Sequence, residues 1–436
     1  MKGTRTAWVA VMLLAYAVPA EGVDFFGYFR DSIGGNSRGG AQACYKTPGM
    51  DYKLRLGNEC DAYAEWGFQQ SIWKDKAGTE FTVGFMFDYD PQVMTNTGAS
   101  TPFGVQQGYV KVKFPQWGGA QVWAGKQYYR RENIDMIDFF YLNTSEPGFG
   151  VEDVDLGFGK LAASIFGTKS ASAATTVPVV PANDFAYAYW RPDVRLYGIP
   201  ANPNGTIEVD ANLVLISKNK DVPDLSPNQA STSVWLTLEH TQDSLIGGSN
   251  KLAVQWANGA AAQMGPGAPT GYGDDPANKD NMQFRILDQL LLQPSLKLQG
   301  LVGGMVQWKQ FFAGTAKTKA TQWGIFARPV YYLTDYFKLQ GDIGFTQNKP
   351  EHGSAANLFK LTFAPTLSPS PGDKGGFFVR PEIRVFVTYA NWNDTAASVP
   401  PKATGAANSV PDAVTNVPFG TDKSMTSFGM SVETWF

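Results

Sequence analysis

Apolar and polar residues alternate with a period of two in segment after segment of this chain. The stretch EFTVGFMF (80–87) places large apolar side chains on one face, and TIEVDANLVL (206–215) sets apolar residues against Glu208, Asp210 and Asn212. A period of two is typical of half-buried β-strands, so the pattern predicts an all-β protein. The same alternation recurs in AEWGFQQSIW (64–73), GYVKVKF (108–114), FKLQGDIGF (337–345) and SFGMSVETWF (427–436).

Two architectures fit such strands. A sandwich buries the apolar face between two sheets, whereas a membrane barrel turns that face to lipid and its polar face to a lumen. The apolar face carries large residues in strand after strand, the opposite face carries full charges, and the last alternating strand ends on Phe436. No Pro/Ser-rich linker divides the chain, and a closed barrel leaves no exposed sheet edge. We therefore expect a single transmembrane β-barrel.

The first twenty residues, MKGTRTAWVAVMLLAYAVPA, combine a basic start, an apolar run and a small-residue cleavage site. This arrangement is typical of a secretory signal peptide, with cleavage after Ala20 or as late as Gly22. The remaining 21–436 form one predicted barrel domain. No other apolar run reaches 18 residues, so no transmembrane helix is predicted.

Composition and charge narrow the function classes. The 36 basic and 39 acidic residues nearly balance, which argues against a nucleic-acid partner. The chain has 46 glycines, which favour turns over long helices. Its only cysteines, Cys44 and Cys60, lie close together in an exported chain, so we expect a structural disulfide. With two histidines in all, neither a metal site nor a cofactor is expected.

One segment combines charges and aromatic rings without any histidine, cysteine or serine. It reads WAGKQYYRRENIDMIDFF (123–140) and holds three cations and three acids. Burying so many charges would be costly, and an ordinary surface loop rarely exposes so many rings. The pattern therefore indicates a wet surface that offers charge and aromatic contact together.

Several segments resemble the maltoporin family of sugar-specific outer-membrane porins, in family order. The specific ones are VDFFGYFRDSIG (23–34) and WAGKQYYRRENIDMIDFFY (123–141). The resemblance implies a trimer of 18-stranded antiparallel barrels, in which a third loop (127–143) folds inward to form a constriction. Further matching segments are YKLRLGNECDAYAE (52–65), VDLGFGKL (154–161), EHTQ (239–242), RILD (285–288), RPEIRVFVTYANW (380–392) and ETWF (433–436).

The resemblance also implies roles for particular residues. An aromatic slide for the sugar would comprise Tyr28, Tyr63, Phe378 and Trp435. The constriction would comprise Arg131, Asp135, Asp138 and Phe140, and a polar track Arg30, Arg55 and Glu65. Each role has an alternative: tyrosines also form interfacial girdles, lumen charges also form structural ion pairs, and Phe377 leaves the register of Phe378 open.

The chain departs from the family pattern at several positions. Phe140 stands where a Tyr is usual, Asp135 where a His is common, and Asn133 where an Asp is common. The second loop (90–107) has no Trp to reach a neighbouring subunit, and Gly104 replaces an expected Arg. A further slide aromatic is missing near Ser249, and Phe378 replaces a common Trp. These changes predict an altered sugar preference.

We therefore expect a passive oligosaccharide porin of the Gram-negative outer membrane, of the maltose/maltodextrin type or for another di- or oligosaccharide. Its expected partners are the sugar, membrane lipid, two further copies of the chain and a periplasmic sugar-binding protein. The alternative is a general diffusion porin for small hydrophilic solutes and ions. A barrel enzyme would need an activated nucleophile near His240 or His352, and a secreted carbohydrate-binding sandwich would leave the lipid-type face unexplained.

Overall fold

The computed structural model describes residues 22–90, 103–167, 187–218, 231–265, 278–313, 316–369, 376–397 and 422–436. The predicted signal peptide and most of the predicted second loop lie outside these residues. Helix in the described part of the chain is limited to Asp394–Ala397 and three 3₁₀ turns, Pro115–Trp117, Asp135–Ile137 and Gly259–Ala261. None of the described helices is both long and apolar enough to cross a membrane.

Eighteen antiparallel strands form one closed sheet, which confirms the predicted fold. Each barrel strand pairs with its neighbour in the chain, and β20 pairs with β1 to close the ring. The strands are β1 (Asp24–Asn36), β2 (Tyr63–Lys74), β3 (Glu80–Tyr89), β4 (Phe103–Phe114), β5 (Ala120–Lys126), β6 (Glu132–Ile134), β7 (Phe139–Leu142), β8 (Pro147–Asp155), β9 (Lys160–Gly167), β10 (Tyr187–Asn202), β11 (Gly205–Lys218), β12 (Thr232–Leu245), β13 (Gly248–Asn258), β14 (Met282–Leu292), β15 (Leu298–Ala313), β16 (Ala316–Tyr332), β17 (Phe337–Pro350), β18 (Ala356–Leu367), β19 (Glu382–Trp392) and β20 (Ser424–Trp435). Among the strands of the described residues, β6 and β7 alone stand outside the barrel, where they form a small hairpin.

The barrel is apolar outside and polar inside. In β17, the alternating side chains Lys338, Gln340 and Asp342 point inward and are almost fully buried. Ile343 on the opposite face is 43% exposed. The same inversion holds in β20, where Glu433 is buried while Phe428 and Met430 are exposed. An outer face of this kind suits lipid, not water.

The two ends of the barrel differ in the length of their connections. At one end, β10 and β12 each reach the next strand through two residues, 203–204 and 246–247. The opposite end carries the first loop (37–62) and the third loop (127–146). Short turns are typical of the periplasmic end of such barrels, and long loops of the external end.

Both long loops fold into the lumen and share an apolar core with the barrel wall. Met50 and Leu54 of the first loop pack with Ile134, Met136 and Ile137 of the third. A disulfide joins Cys44 to Cys60 within the first loop, as predicted. The core fills the lumen beside β11–β16, so open space remains next to β20, β1 and β2. Its wall residues include Val214, Trp235, Leu287, Leu301, Met305 and Phe326.

Because the outer face of the barrel contacts lipid, a charged side chain placed on it should lower the stability of the protein. Ile343 lies midway along β17, so Ile343→Arg should lower the free energy of unfolding by about 2–4 kcal/mol because it places a cation in the hydrocarbon. Urea unfolding in lipid vesicles measures this value, with Ile343→Leu as the matched control. Equal stability of the two variants would contradict a lipid-facing side chain at this position.

Candidate functional site

A cavity of about 730 Å³ lies between the third loop and the wall formed by β20, β1 and β2. The predicted slide, constriction and polar-track residues all line it, with the exception of Phe378. Residues distant in the chain, such as Tyr28 and Trp435, therefore meet in one place. The lining consists of Tyr28, Arg30, Arg55, Tyr63, Glu65, Gln106, Lys126, Tyr128, Arg131, Asn133, Asp135, Asp138, Phe140, Asn143, Ser145, Glu146, Pro147 and Trp435.

Three aromatic rings form a row on the wall because strand register brings them together. Trp435 of β20 stands opposite Tyr28 of β1, and Arg30 stands opposite Tyr63 of β2. The rings of Tyr28 and Tyr63 are 6.2 Å apart between centroids. Since alternate residues share a face, each of these strands turns its ring into the lumen. The register therefore places three aromatic side chains on neighbouring strands at one side of the lumen.

The third loop is held in place by bonds to the far wall. The Tyr141 hydroxyl donates to Glu239 over 2.6 Å, and the Gln255 amide donates to the Tyr141 carbonyl over 2.8 Å. Arg195 donates to the carbonyl of Arg130 over 2.6 Å. All three wall groups are buried. These anchors lie on β10, β12 and β13, so the loop spans the lumen and narrows the passage.

Arg131 presents a cation between two rings. Its guanidinium carbon lies 3.3 Å from the ring centroid of Tyr128 and 4.5 Å from that of Phe140. Within the described residues, no carboxylate lies within the 4.0 Å ion-pair distance of Arg131. Burial lowers its pKa, an effect that Tyr128 and Glu65 only partly offset. This guanidinium can therefore direct N–H groups at a solute in the cavity.

Arg55 differs because its donors are engaged by protein groups. Its Nε donates to Glu59 over 2.7 Å and one terminal nitrogen donates to Asp135 over 3.3 Å. The other terminal nitrogen donates to the Tyr28 hydroxyl over 2.6 Å and to Glu433 over 2.8 Å. Arg55 therefore joins the first loop, the third loop and the wall, and it orients the Tyr28 ring.

Arg30 forms a second set of ion pairs, and it shares Glu59 with Arg55. It pairs with Glu59 over 3.3 Å, with Asp138 over 3.3 Å, and with Asp61. Asp138 itself has a left-handed backbone with φ of 50°, a conformation that Asp and Asn tolerate better than other residues with a side chain. This pair ties the tip of the third loop to β1.

The Glu65 carboxylate accepts hydrogen bonds from tyrosine hydroxyls on both sides of the cavity. It accepts a hydrogen bond from Tyr63 over 2.7 Å and another from Tyr128 of the third loop. The role of Tyr128 was not predicted, because nothing in the doublet Tyr128–Tyr129 distinguishes a lumen ring from a buried one. Tyr129 packs instead against Trp123 and Phe166 in a separate core.

Phe378 lies at the periplasmic end, outside the cavity lining. Its ring is 42% exposed and packs edge-on against Phe377, with centroids 4.9 Å apart. Two residues later, Arg380 places its guanidinium 4.1 Å from the Trp435 ring centroid and donates to Glu433 over 3.0 Å. The predicted slide role of Phe378 remains a prediction, whereas the ring of Trp435 lies in cation–π contact with Arg380.

The Asp138–Arg30 pair predicts a pH dependence of the third loop. Burial alone would raise the pKa of Asp138, but Arg55, Arg30 and Lys53 outweigh it and lower the pKa. A lowered pKa means that the pair is intact above the usual carboxyl value of about 3.9 and is lost as the pH falls through the lowered value.

We expect the open-channel current noise in sugar-free buffer to stay constant from pH 7 to about 4 and to rise below that. Asp138→Asn, which keeps the shape and backbone preference, should show the raised noise already at pH 7. Single-channel recording of both proteins across this range measures the effect. Identical noise at pH 7 would contradict a clamp by this ion pair.

Comparison with known proteins finds a family model and several solved structures that match nearly the whole chain. The model of the LamB porin family matches residues 23–436. Solved structures of similar architecture include Salmonella typhi OmpF in complex with daunomycin, which is 10% identical with a TM-score of 0.44, covering 94% of this chain and 97% of that chain. Pseudomonas aeruginosa OccK1 (OpdK) is 10% identical with a TM-score of 0.45, covering 95% and 99%. An anion-selective porin from Comamonas acidovorans is 8% identical with a TM-score of 0.40, covering 95% and 99%.

Proposed function

We propose, since the chain belongs to the LamB porin family of outer-membrane porins, that this barrel is a sugar-selective channel. It lets oligosaccharides of the maltose/maltodextrin type, or another di- or oligosaccharide, diffuse down their gradient across the outer membrane. No reaction and no cofactor are involved in this function. The proposal rests mainly on one observation, the row of rings at Trp435, Tyr28 and Tyr63 facing charged groups across one cavity.

A sugar has two kinds of surface that such a cavity would match. Its C–H faces are weakly apolar and can lie flat on an aromatic ring. Its hydroxyls lose water on entry and need hydrogen-bond partners, of which charged groups are the strongest. Rings and charged groups that line one cavity together would hold the sugar between the wall and the third loop. Because no single contact is strong, the sugar can enter and leave quickly.

The charged groups would divide the work. Arg131 and Glu65 face the cavity and would contact sugar hydroxyls directly. Arg30, Arg55, Asp135 and Asp138 lie in the ion-pair network, so they would mainly hold the rings and the third loop in register, with their cavity-facing edges adding weaker contacts. Phe140 offers Arg131 an aromatic face but no hydroxyl, which removes one polar partner at the constriction.

The proposal also includes a role for Phe378, the oligomeric state and a periplasmic partner. Phe378 would extend the aromatic surface at the periplasmic exit, where a sugar leaves Trp435. The functional unit would be a homotrimer in the outer membrane, and a periplasmic sugar-binding protein would collect the product of transport. Each of these statements extends the porin assignment and can fail without affecting it.

The proposal predicts that sugar blocks the current in a saturable way. In planar bilayers, titration with maltotriose, sucrose and glucose should give one sugar with a measurable dissociation constant. Tyr63→Ala should weaken its binding about threefold to tenfold through loss of the ring contact. Arg131→Ala should weaken it at least about tenfold through loss of a charged hydrogen-bond donor.

Tyr389→Ala is the matched control, because this tyrosine points outward from β19 and is exposed to lipid. Its binding constant should equal that of the unmodified protein. Open channels that none of the sugars blocks would overturn the sugar-selective function. That result would favour a general diffusion porin, the alternative considered from sequence.

A further inference from the structure

Three lysines form a cationic patch on the outer face of the barrel near its external rim. Lys317 and Lys319 lie near the beginning of β16, and Lys349 lies near the end of β17. Each is an even number of residues from an outward apolar side chain, Ile325 in β16 or Ile343 in β17, so all three point away from the lumen. We call these three residues the rim lysines.

The strand register brings the rim lysines together. Thr321 of β16 stands opposite Lys349 of β17, which makes Lys319 and Lys349 diagonal neighbours. Diagonal partners on one face of a sheet lie roughly 7–8 Å apart. Lys317 precedes Lys319 by two residues, so it occupies the adjacent outward position of β16, about 6.6 Å away along the strand. A single phosphate group can therefore reach two of these ammonium groups at once.

The position of the rim lysines along the barrel axis matches the headgroup region of the membrane. Ile325 is 59% exposed and lies midway between Lys319 and Tyr331, six residues from each. At about 3.3 Å per residue and a tilt of about 45°, six residues span roughly 14 Å. That distance is about half of the apolar band of such barrels. Lys319 and the exposed Tyr331 therefore lie at the two opposite boundaries.

Aromatic rings lie directly below the rim lysines on the same outer face. Trp308 stacks on Phe284 with centroids 5.5 Å apart, and Trp323 lies 5.3 Å from Phe345. The Trp323 N–H donates to Gln347 over 3.0 Å, which places a polar atom at this level. Tryptophans arranged in this way mark the interface between hydrocarbon and headgroups. The patch is thus continuous with the lipid-facing band.

One acid lies within the patch. Glu351 accepts a hydrogen bond from Lys319 over 2.8 Å, and both side chains are partly exposed. This carboxylate balances one cation of the three, so the patch keeps a net positive charge. Because the rim lysines lie at the same end of the barrel as the long first and third loops, they face the outer leaflet.

We propose that the rim lysines bind the phosphate groups of a phosphorylated glycolipid in the outer leaflet, of the lipid A class. The phosphate would bind Lys319 together with its neighbour Lys317 or Lys349, and it would compete with Glu351 for Lys319. The sugar headgroup would rest on Trp308 and Trp323, and the acyl chains would follow Ile325 and Ile343. Charge complementarity selects the phosphate, and continuity with the apolar band selects a lipid over a soluble anion. The proposal does not depend on sugar transport.

The test uses the full-length protein in nanodiscs that contain diphosphorylated or dephosphorylated lipid A, with bound glycolipid counted by native mass spectrometry. The unmodified protein should retain the diphosphorylated form. The triple variant Lys317→Gln, Lys319→Gln, Lys349→Gln should retain at least about fivefold less. Glu351→Gln removes the competing carboxylate and should retain more, a gain that misfolding cannot produce.

The matched control changes the same number of charges at the periplasmic rim, as Lys74→Gln, Lys76→Gln, Lys297→Gln. These lysines are exposed, and their loss should leave glycolipid binding unchanged. Equal retention by the rim triple variant, or equal retention of the dephosphorylated glycolipid, would overturn the proposal. So would full displacement by millimolar inorganic phosphate, which would indicate a soluble-anion site. Loss of trimers in the rim variant without loss of bound glycolipid would assign the lysines to a contact between copies.

Discussion

Lipid offers a backbone no hydrogen-bond partner, so every strand in a bilayer has to be paired along both edges. In this chain that requirement is met by closing the sheet through β20 and β1. Closure creates two faces with different solvents, and the period-two alternation then assigns each residue to one of them. Ile343 faces lipid and its neighbour Asp342 faces the lumen for this reason. The aromatic row exists because three neighbouring strands turn a ring to the same side.

Closure also creates an interior that has to be filled or wetted. Here one side is filled by an apolar core from both long loops. The other side is lined by charges, of which Arg30, Arg55, Asp135 and Asp138 neutralise each other in ion pairs. A buried charge without a partner is costly, so Arg55, which has four protein partners, belongs to the framework as much as to the pathway. Arg131 makes no ion pair among the described residues and is stabilised by flanking rings instead. The same residue type therefore has two physical roles within one cavity.

Much of this was readable from sequence. Alternation predicted the strands, resemblance predicted the inward loop, and both together placed Tyr28, Tyr63 and Trp435 on the lumen side. The first loop was harder, because Met50 and Leu54 contact strands hundreds of residues away and no local pattern encodes such contacts. The clamp role of Arg55 depends on Asp135 and Glu433 converging from separate segments. Phe378 shows the limit of matching by position, since it follows a turn whose path alternation does not determine.

The apolar core shared by the first and third loops makes the bore of this channel a property of two segments at once. Met50 and Leu54 pack in the same apolar core as Ile134 and Met136 of the third loop. A third loop transplanted alone into another barrel would lose these first-loop contacts, and a first loop left behind would lose its contacts with the third loop. Recombination between related porins would therefore preserve a working constriction only where both segments travel together. Inheritance of selectivity in this architecture is linked across the part of the chain from 37 to 146.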